Sequence, residues 1–176
     1  MFYFKKAHLS DIALMQEIVK KEVEAKVILP RSDDEIATAI RSYTLVFAEQ
    51  NEAFSGAQKA YAKAQNAALG EGILVGYSAL HIHTAKLAEV RSLIIADEFR
   101  AQGVGARLVG ELLKEARSLG LSEVFTLTYR RHFFEKLGFV EISKQELPEQ
   151  KIWADCIKCK RFPVCDEIAL ITKVKD

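Results

Sequence analysis

Arg100, Gly103 and Gly105 stand in the order R-x-x-G-x-G, between an apolar run and an amphipathic segment. Glycines in such a turn give the backbone conformations that other residues avoid. A helix that begins just after them presents amides with no intrahelical acceptor, together with the positive end of its dipole. That is the chemistry of an anion site, best suited to phosphate. The spacing is neither G-x-G-x-x-G nor G-x-x-x-x-G-K-[ST], so it is not the dinucleotide fingerprint or a P-loop. A glycine turn into an ordinary amphipathic helix has the same local sequence, and the surroundings must decide between the two.

Two further groups of residues carry chemistry. Glu89 and Arg91 lie two apart on an apolar run, so strand alternation puts both side chains on one face. An inward arginine there demands an anionic partner, and Glu89 itself would serve. The second group is Cys156-x-x-Cys159 followed by Cys165. C-x-x-C is a zinc half-site spacing, and Cys165 adds a third soft ligand. A closed site would need a fourth ligand from His132, Asp155 or Asp166. The plainer reading is a set of reduced cysteines packing a loop with Trp153 and Phe162, and no metal is expected. His81 and His83 share a strand face and read as a surface pair.

The elements that must position these residues follow from periodicity. Val90–Ala96 reads as a buried strand, Asp97–Gln102 as a polar connection, and the helix after it has Val104, Leu108, Leu112, Ala116 and Leu119 on one face, with Gly120 to end it. Upstream, Phe2–Ala7 reads as a strand and Ser10 or Asp11 as the cap of a helix with Ile12, Met15, Ile18, Val19 and Val23 inward. Ser32-x-x-Glu35 has capping-box form and opens a helix over 33–41, and Tyr43–Ala48 is a strand. Residues 49–71 are an insertion between strands, helical after Gly56 or a mobile loop, with no chemical role assigned. Ile73–Ile82 is a strand with Gly76 as a bulge signal, Val124–Thr128 a fifth strand, His132–Leu137 a short helix, and Phe139–Ser143 and Asp166–Lys173 the last strands. Residues 144–165 form a cysteine-containing loop before the final strand. The order β-α-α-β-β-β-α-β-α-β-β predicts an α/β (α+β) chain, with a mixed, mostly antiparallel central sheet and helices on both faces.

At 176 residues, 49% of them hydrophobic, the chain reads as a single globular domain. A formal net charge of +1 provides no basic field for nucleic acid. No apolar run approaches the roughly 20 residues that span a bilayer, and MFYFKKAHLSD lacks a signal-peptide core. The expectation is a cytoplasmic protein with no membrane partner.

The loop R-x-x-G-x-G resembles the Q/R-x-x-G-x-G/A pyrophosphate loop of the GNAT acetyltransferases, and FFEKLGF, residues 133–139, is similar to that family's F-Y-x-x-x-G-F signature. Leu29-Pro30-Arg31-Ser32, AEVRSLII (88–95), LTYRRHFFEKLGF (127–139) and the segment 147–170 resemble short, single-domain N-acetylglutamate synthases. The resemblance implies the GNAT fold, acetyl-CoA as co-substrate and transfer of acetyl to the α-amine of L-glutamate in arginine biosynthesis. Another small amine or amino acid as acceptor, or a non-catalytic coenzyme-A-binding module, are the alternatives. It also implies roles for particular residues. Backbone groups of Leu93, Ile94 and Ile95 would hold pantetheine and acetyl. Arg100, Ala101, Gln102, Gly103, Val104, Gly105 and Ala106 would hold the pyrophosphate, with Phe133 and Phe134 beside the coenzyme. Glu89 is the candidate general base, acting through a water. L-Glutamate carries two carboxylates, for which Arg31, Arg91 and Arg130 are the candidate clamp. Phe134 stands where many members of the family have a tyrosine acid, and Tyr129 is a weak substitute. A homodimer is compatible with this fold.

Overall fold

The computed structural model describes residues 1–66, 72–151, 156–157 and 164–174. Seven strands form a mixed sheet in the order β1-β2-β3-β4-β5-β7-β6. They are β1 Phe2–Lys6, β2 Tyr43–Glu49, β3 Gly72–Ile82, β4 Leu87–Ile95, β5 Glu123–Thr128, β6 Val140–Ile142 and β7 Ile168–Lys173. The β4–β5 pair is parallel, while β1–β2, β2–β3, β5–β7 and β6–β7 are antiparallel. The helices are α1 Ile12–Glu24, α2 Asp33–Thr38, α3 Gly56–Ala64, α4 Val104–Ser118, α5 Arg131–Glu135 and the single turn α6 Glu149–Lys151. None of the helices among the described residues is long and apolar enough to cross a membrane. The chain divides into two compact units, Met1–Ala79 with Ser92–Glu111, and Leu80–Arg91 with Leu112–Asp176.

In the first unit β2 is buried without interruption from Tyr43 to Ala48 because both of its faces are covered. Leu45 and Phe47 join Met15, Val19, Ile36 and Tyr77 on one side, while Val46 and Ala48 join Ala62, Phe99, Val104 and Leu108 on the other. The capping box expected at Ser32 is present: Ser32 Oγ accepts from the Glu35 amide, and Glu35 Oε2 accepts from the Ser32 amide at 2.9 Å. The helix it opens stops at Thr38 instead of running to Arg41, and Ile40–Ser42 tighten into a 3₁₀ turn.

The bulge expected near Gly76 is found one residue earlier. Val46 faces Gly76 and Phe47 faces Leu74, which leaves Val75 unopposed. Gly76 has a different reason to be glycine. A Cβ there would lie 2.4 Å from Ile95 Cδ1 and 2.5 Å from the Ile94 carbonyl oxygen, so only a bare backbone fits against the end of β4. The insertion is helical and built into this unit. Ser55 and Gln58 cap α3, Ala62 is buried, and the Tyr61 and Phe54 rings stand edge-on to Phe99. Tyr61 Oη donates to the Leu74 carbonyl at 2.9 Å, and the Gln65 amide both donates to that carbonyl and accepts from the Leu74 N–H.

In the second unit the β4–β5 ladder joins Leu87, Ala88 and Glu89 to Glu123, Val124 and Phe125. This pairing starts β4 at Leu87, three residues before the apolar run suggested. β5 pairs along its whole length with β7, and Phe125, Leu147 and Ala169 are the buried centre of a cluster there. On α4, Val104, Leu108, Leu112 and Ala116 are buried as expected, but Leu119 is 55% exposed. The helix ends at Ser118, and the chain turns away through Gly120 at φ +76°. α5 likewise ends two residues short of Leu137.

Candidate functional site

The glycine loop is fixed at both ends by side chains of its own unit. Ahead of it Phe99 is 1% exposed, with the Phe2, Phe54 and Tyr61 rings around it. Arg100 then donates from Nε to the Ile95 carbonyl at 2.9 Å, and its guanidinium reaches Glu22 at 2.6 Å and Asp97 at 2.7 Å. Lys21 also pairs with Asp97, and that pairing holds the Asp97 carboxyl below the usual carboxylate range. Lys21, Glu22, Asp97 and Arg100 therefore sum to no net charge. Ala101 at φ +59° and Gly103 at φ +74° turn the chain so that Val104, Gly105 and Ala106 open α4. Ala101, Gln102 and Gly103 are exposed, and a Cβ on Gly103 would meet nothing within 4 Å. The loop thus offers open backbone at a helix N-terminus. Exposed Arg107, one turn on, stacks over the Phe2 and Phe4 rings.

Before that loop, Leu93 and Ile95 are half-buried and Ile94 is buried. Ser92 stands at φ +55° inside β4. A non-glycine residue in that region is uncommon, and within a strand it interrupts the alternation that periodicity assumes.

Glu89 is 1% exposed and not on a strand edge. Oε1 lies 2.6 Å from Lys151 Nζ, and Oε2 lies 3.0 Å from His83 Nε2. Burial works against its ionisation, but the His83 hydrogen bond and the Lys151 ammonium together outweigh it, with a smaller pull from Arg91, and hold the carboxyl below the usual range. His83 is not a surface residue: it follows the end of β3, its side chain is 4% exposed, and its ring lies against His81 and Phe125. Glu167 is the other carboxylate of this unit in the same field. Burial pushes its pKa up, Lys151 pulls it down, and Glu89 pushes it up further.

The remaining candidates belong to both units. Arg91 is half-buried, and Arg130 is exposed with its N–H on Thr128 Oγ1 at 2.9 Å, at the head of α5. In the first unit, Arg31 is half-buried, its carbonyl accepts from Gln16, and its charge bears on Tyr77. Tyr129 is 38% exposed and its hydroxyl donates to Asp166 at 3.1 Å. Phe134 is 2% exposed, its ring edge-on to Phe133 and Phe139, while Phe133 is half-buried. Cys159, Asp155, Trp153 and Phe162 lie outside the described residues. Among the described residues no three His, Cys, Asp or Glu side chains gather as a metal site, and Cys165 Sγ faces Glu167 at 3.7 Å.

Sequence reasoning missed His83, Lys151 and Ser92. Lys151 meets Glu89 across 62 positions of chain, a separation that no local pattern reports.

The profile of the acetyltransferase (GNAT) family matches residues 30–139. The chain belongs to this family. Among GNAT proteins, an uncharacterized N-acetyltransferase of Chlorobaculum tepidum is 32% identical over 95% of this chain and 93% of its own. An amino-acid acetyltransferase of Mycobacterium tuberculosis is 39% identical over 71 residues, which are 40% of this chain and 41% of that protein. The GNAT fold is shared with N-acetylglutamate synthase from Neisseria gonorrhoeae, solved with coenzyme A and N-acetyl-glutamate. The TM-score is 0.78 at 21% identity, covering all of this chain and 36% of the synthase chain.

Proposed function

We propose that this GNAT protein transfers the acetyl group of acetyl-CoA to the α-amine of a small amino acid, L-glutamate being the acceptor its arginines fit best. The observation that carries the reading is the open, left-handed backbone at Ala101 and Gly103, leading into α4 directly after β4. The family match and the relatives named amino-acid acetyltransferase support it.

Acetyl-CoA supplies an activated thioester. On this reading the amides from Ala101 to Ala106 hold its pyrophosphate, and the backbone of Leu93–Ile95 its pantetheine arm, with Phe133 and Phe134 near the coenzyme. Phe134 acts there by supporting Phe133, since its own ring is buried. An α-ammonium cannot attack until it loses a proton, and Glu89 is ionised and able to take that proton through a water. Arg31, Arg91 and Arg130 pair with the acceptor's carboxylates, because a planar fork meets a carboxylate in two hydrogen bonds. Tyr129 is the candidate acid for the departing thiolate.

Thiol release from acetyl-CoA, measured with L-glutamate, L-aspartate, L-glutamine and spermidine side by side, tests the reading. Glutamate is expected to exceed glutamine by about tenfold or more, the size of one lost charge-assisted contact. Preference for spermidine would remove the arginine clamp. Absence of turnover with any acceptor, despite coenzyme A binding, would remove the transferase reading.

A further inference from the structure

Three polar side chains are sealed into the second unit: Lys151, Glu89 and His83 have side-chain exposures of 8%, 2% and 4%. A buried ion pair is a poor device for stability, because well-packed apolar residues of equal volume do as well or better. Its value lies in what it does to the group at its centre. Among the described residues each Glu89 oxygen has its own partner, Lys151 on Oε1 at 2.6 Å and His83 on Oε2 at 3.0 Å. A carboxylate has about four acceptor lone pairs, so this grip sets the plane and leaves further acceptor positions unused.

We propose that Lys151 and His83 are positioning residues for the general base, holding Glu89 as an anion in one orientation from which its remaining lone pairs accept the amine's proton. The inference rests on the assignment of Glu89 as base. Among the described residues, the charged and titratable groups that bear on Glu89 are Lys151 on α6, His83 between β3 and β4 and Arg91 on β4, and Glu89 in turn bears on Glu167 ahead of β7. His81 stands behind His83, with ring centroids 4.7 Å apart. Without Lys151 the pulls that oppose burial are reduced to the His83 hydrogen bond and the Arg91 charge, which shifts the balance toward a protonated Glu89. A protonated Glu89 has no capacity to take a second proton.

The test is the pH profile of kcat/KM for wild type, Lys151→Gln, Lys151→Arg, His83→Asn and Glu89→Gln, with the Glu89 side-chain carboxyl followed by carbon-13 NMR. In Lys151→Gln the acid limb and the NMR titration of Glu89 are expected to move up together by roughly one pH unit or more, with kcat falling and acceptor KM nearly unchanged. Lys151→Arg should return most of the shift. His83→Asn should move both readouts in the same direction, and it tests the inference independently if Lys151→Gln does not fold. Glu89→Gln should lower kcat by about a hundredfold or more. A folded Lys151→Gln or His83→Asn with the wild-type limb and titration would overturn the positioning role. Wild-type turnover in Glu89→Gln would instead remove the base assignment, and would do so even if the NMR shift in Lys151→Gln were present.

Discussion

The Arg100 guanidinium lies 2.6 Å from Glu22 Oε1, and the same side chain donates from Nε to the Ile95 carbonyl. It ties α1 to the end of β4 at the entrance to the glycine loop. Exposed ion pairs contribute only ~0–1 kcal/mol, so Arg100→Ala is expected to lower Tm very little. Its effect falls on the loop: coenzyme A affinity, measured calorimetrically, should drop about tenfold. Arg100→Lys should not restore it, because an ammonium lacks the fork that serves Glu22, Asp97 and Ile95 at once.

Two glycines should respond differently to the same alanine. At Gly103 a methyl group meets nothing within 4 Å, and the cost is that of φ +74° for a residue with a Cβ, about 1 kcal/mol. At Gly76 the methyl group would overlap Ile95 and the Ile94 carbonyl, so β3 or β4 must move, at about 1–3 kcal/mol. Urea melts should therefore rank Gly76→Ala as the less stable variant. A reversed ranking would mean that the β3–β4 contact yields easily.

Glu89 sets an acid limit on stability. Its folded pKa is depressed, so its contribution is complete above the unfolded value of 4.5 and is lost as pH falls through the lower folded value. Glu89→Gln leaves a buried ammonium without its counter-ion and should cost about 3–5 kcal/mol at neutral pH. The gap in Tm between the two proteins should hold from pH 7 to 5 and narrow below 4.5. A gap that is the same at pH 3 as at pH 7 would assign the loss to packing.

Glu167 has the opposite sign. Its folded pKa is raised, so the fold favours the neutral acid, and that preference is lost as pH rises through the folded value. Glu167→Gln is therefore expected to raise Tm at pH 7, with the gain disappearing as the solution is acidified below 4.5. A lower Tm at pH 7 would show that Glu167 chiefly supports Lys151.

Most strands and helices were legible because their signals are local. Tyr43–Ala48 is rich in aromatic and β-branched residues, Ser32-x-x-Glu35 is a capping box, and Gly103 and Gly105 open a helix. The failures have physical causes. Leu119 fits the helical period, but the helix has already ended, and periodicity does not report where backbone hydrogen bonding stops. Leu87–Glu89 became strand through a parallel partner over thirty residues away. Ser92 takes a left-handed conformation that its side chain does not announce. Of the residues around the carboxylate, Glu89 and Arg91 were visible as neighbours on one strand. Lys151 was not, and His83 was taken for a surface residue, because burial is set by packing between distant segments.

The clasp of Gln65 on Leu74 has a consequence for how the insertion is held. A side-chain amide that donates to one residue's carbonyl and accepts from the same residue's N–H copies the hydrogen bonding of a neighbouring strand. Next to the Val75 bulge, where β3 loses its regular register, one glutamine of the insertion thus gives Leu74 the pair of bonds that a strand residue would give. The segment assigned no chemistry in the sequence is thereby tied to the sheet by backbone groups as well as by its aromatic rings, and Gln65→Ala would take the acceptor from the Leu74 N–H and leave the Leu74 carbonyl to Tyr61 Oη.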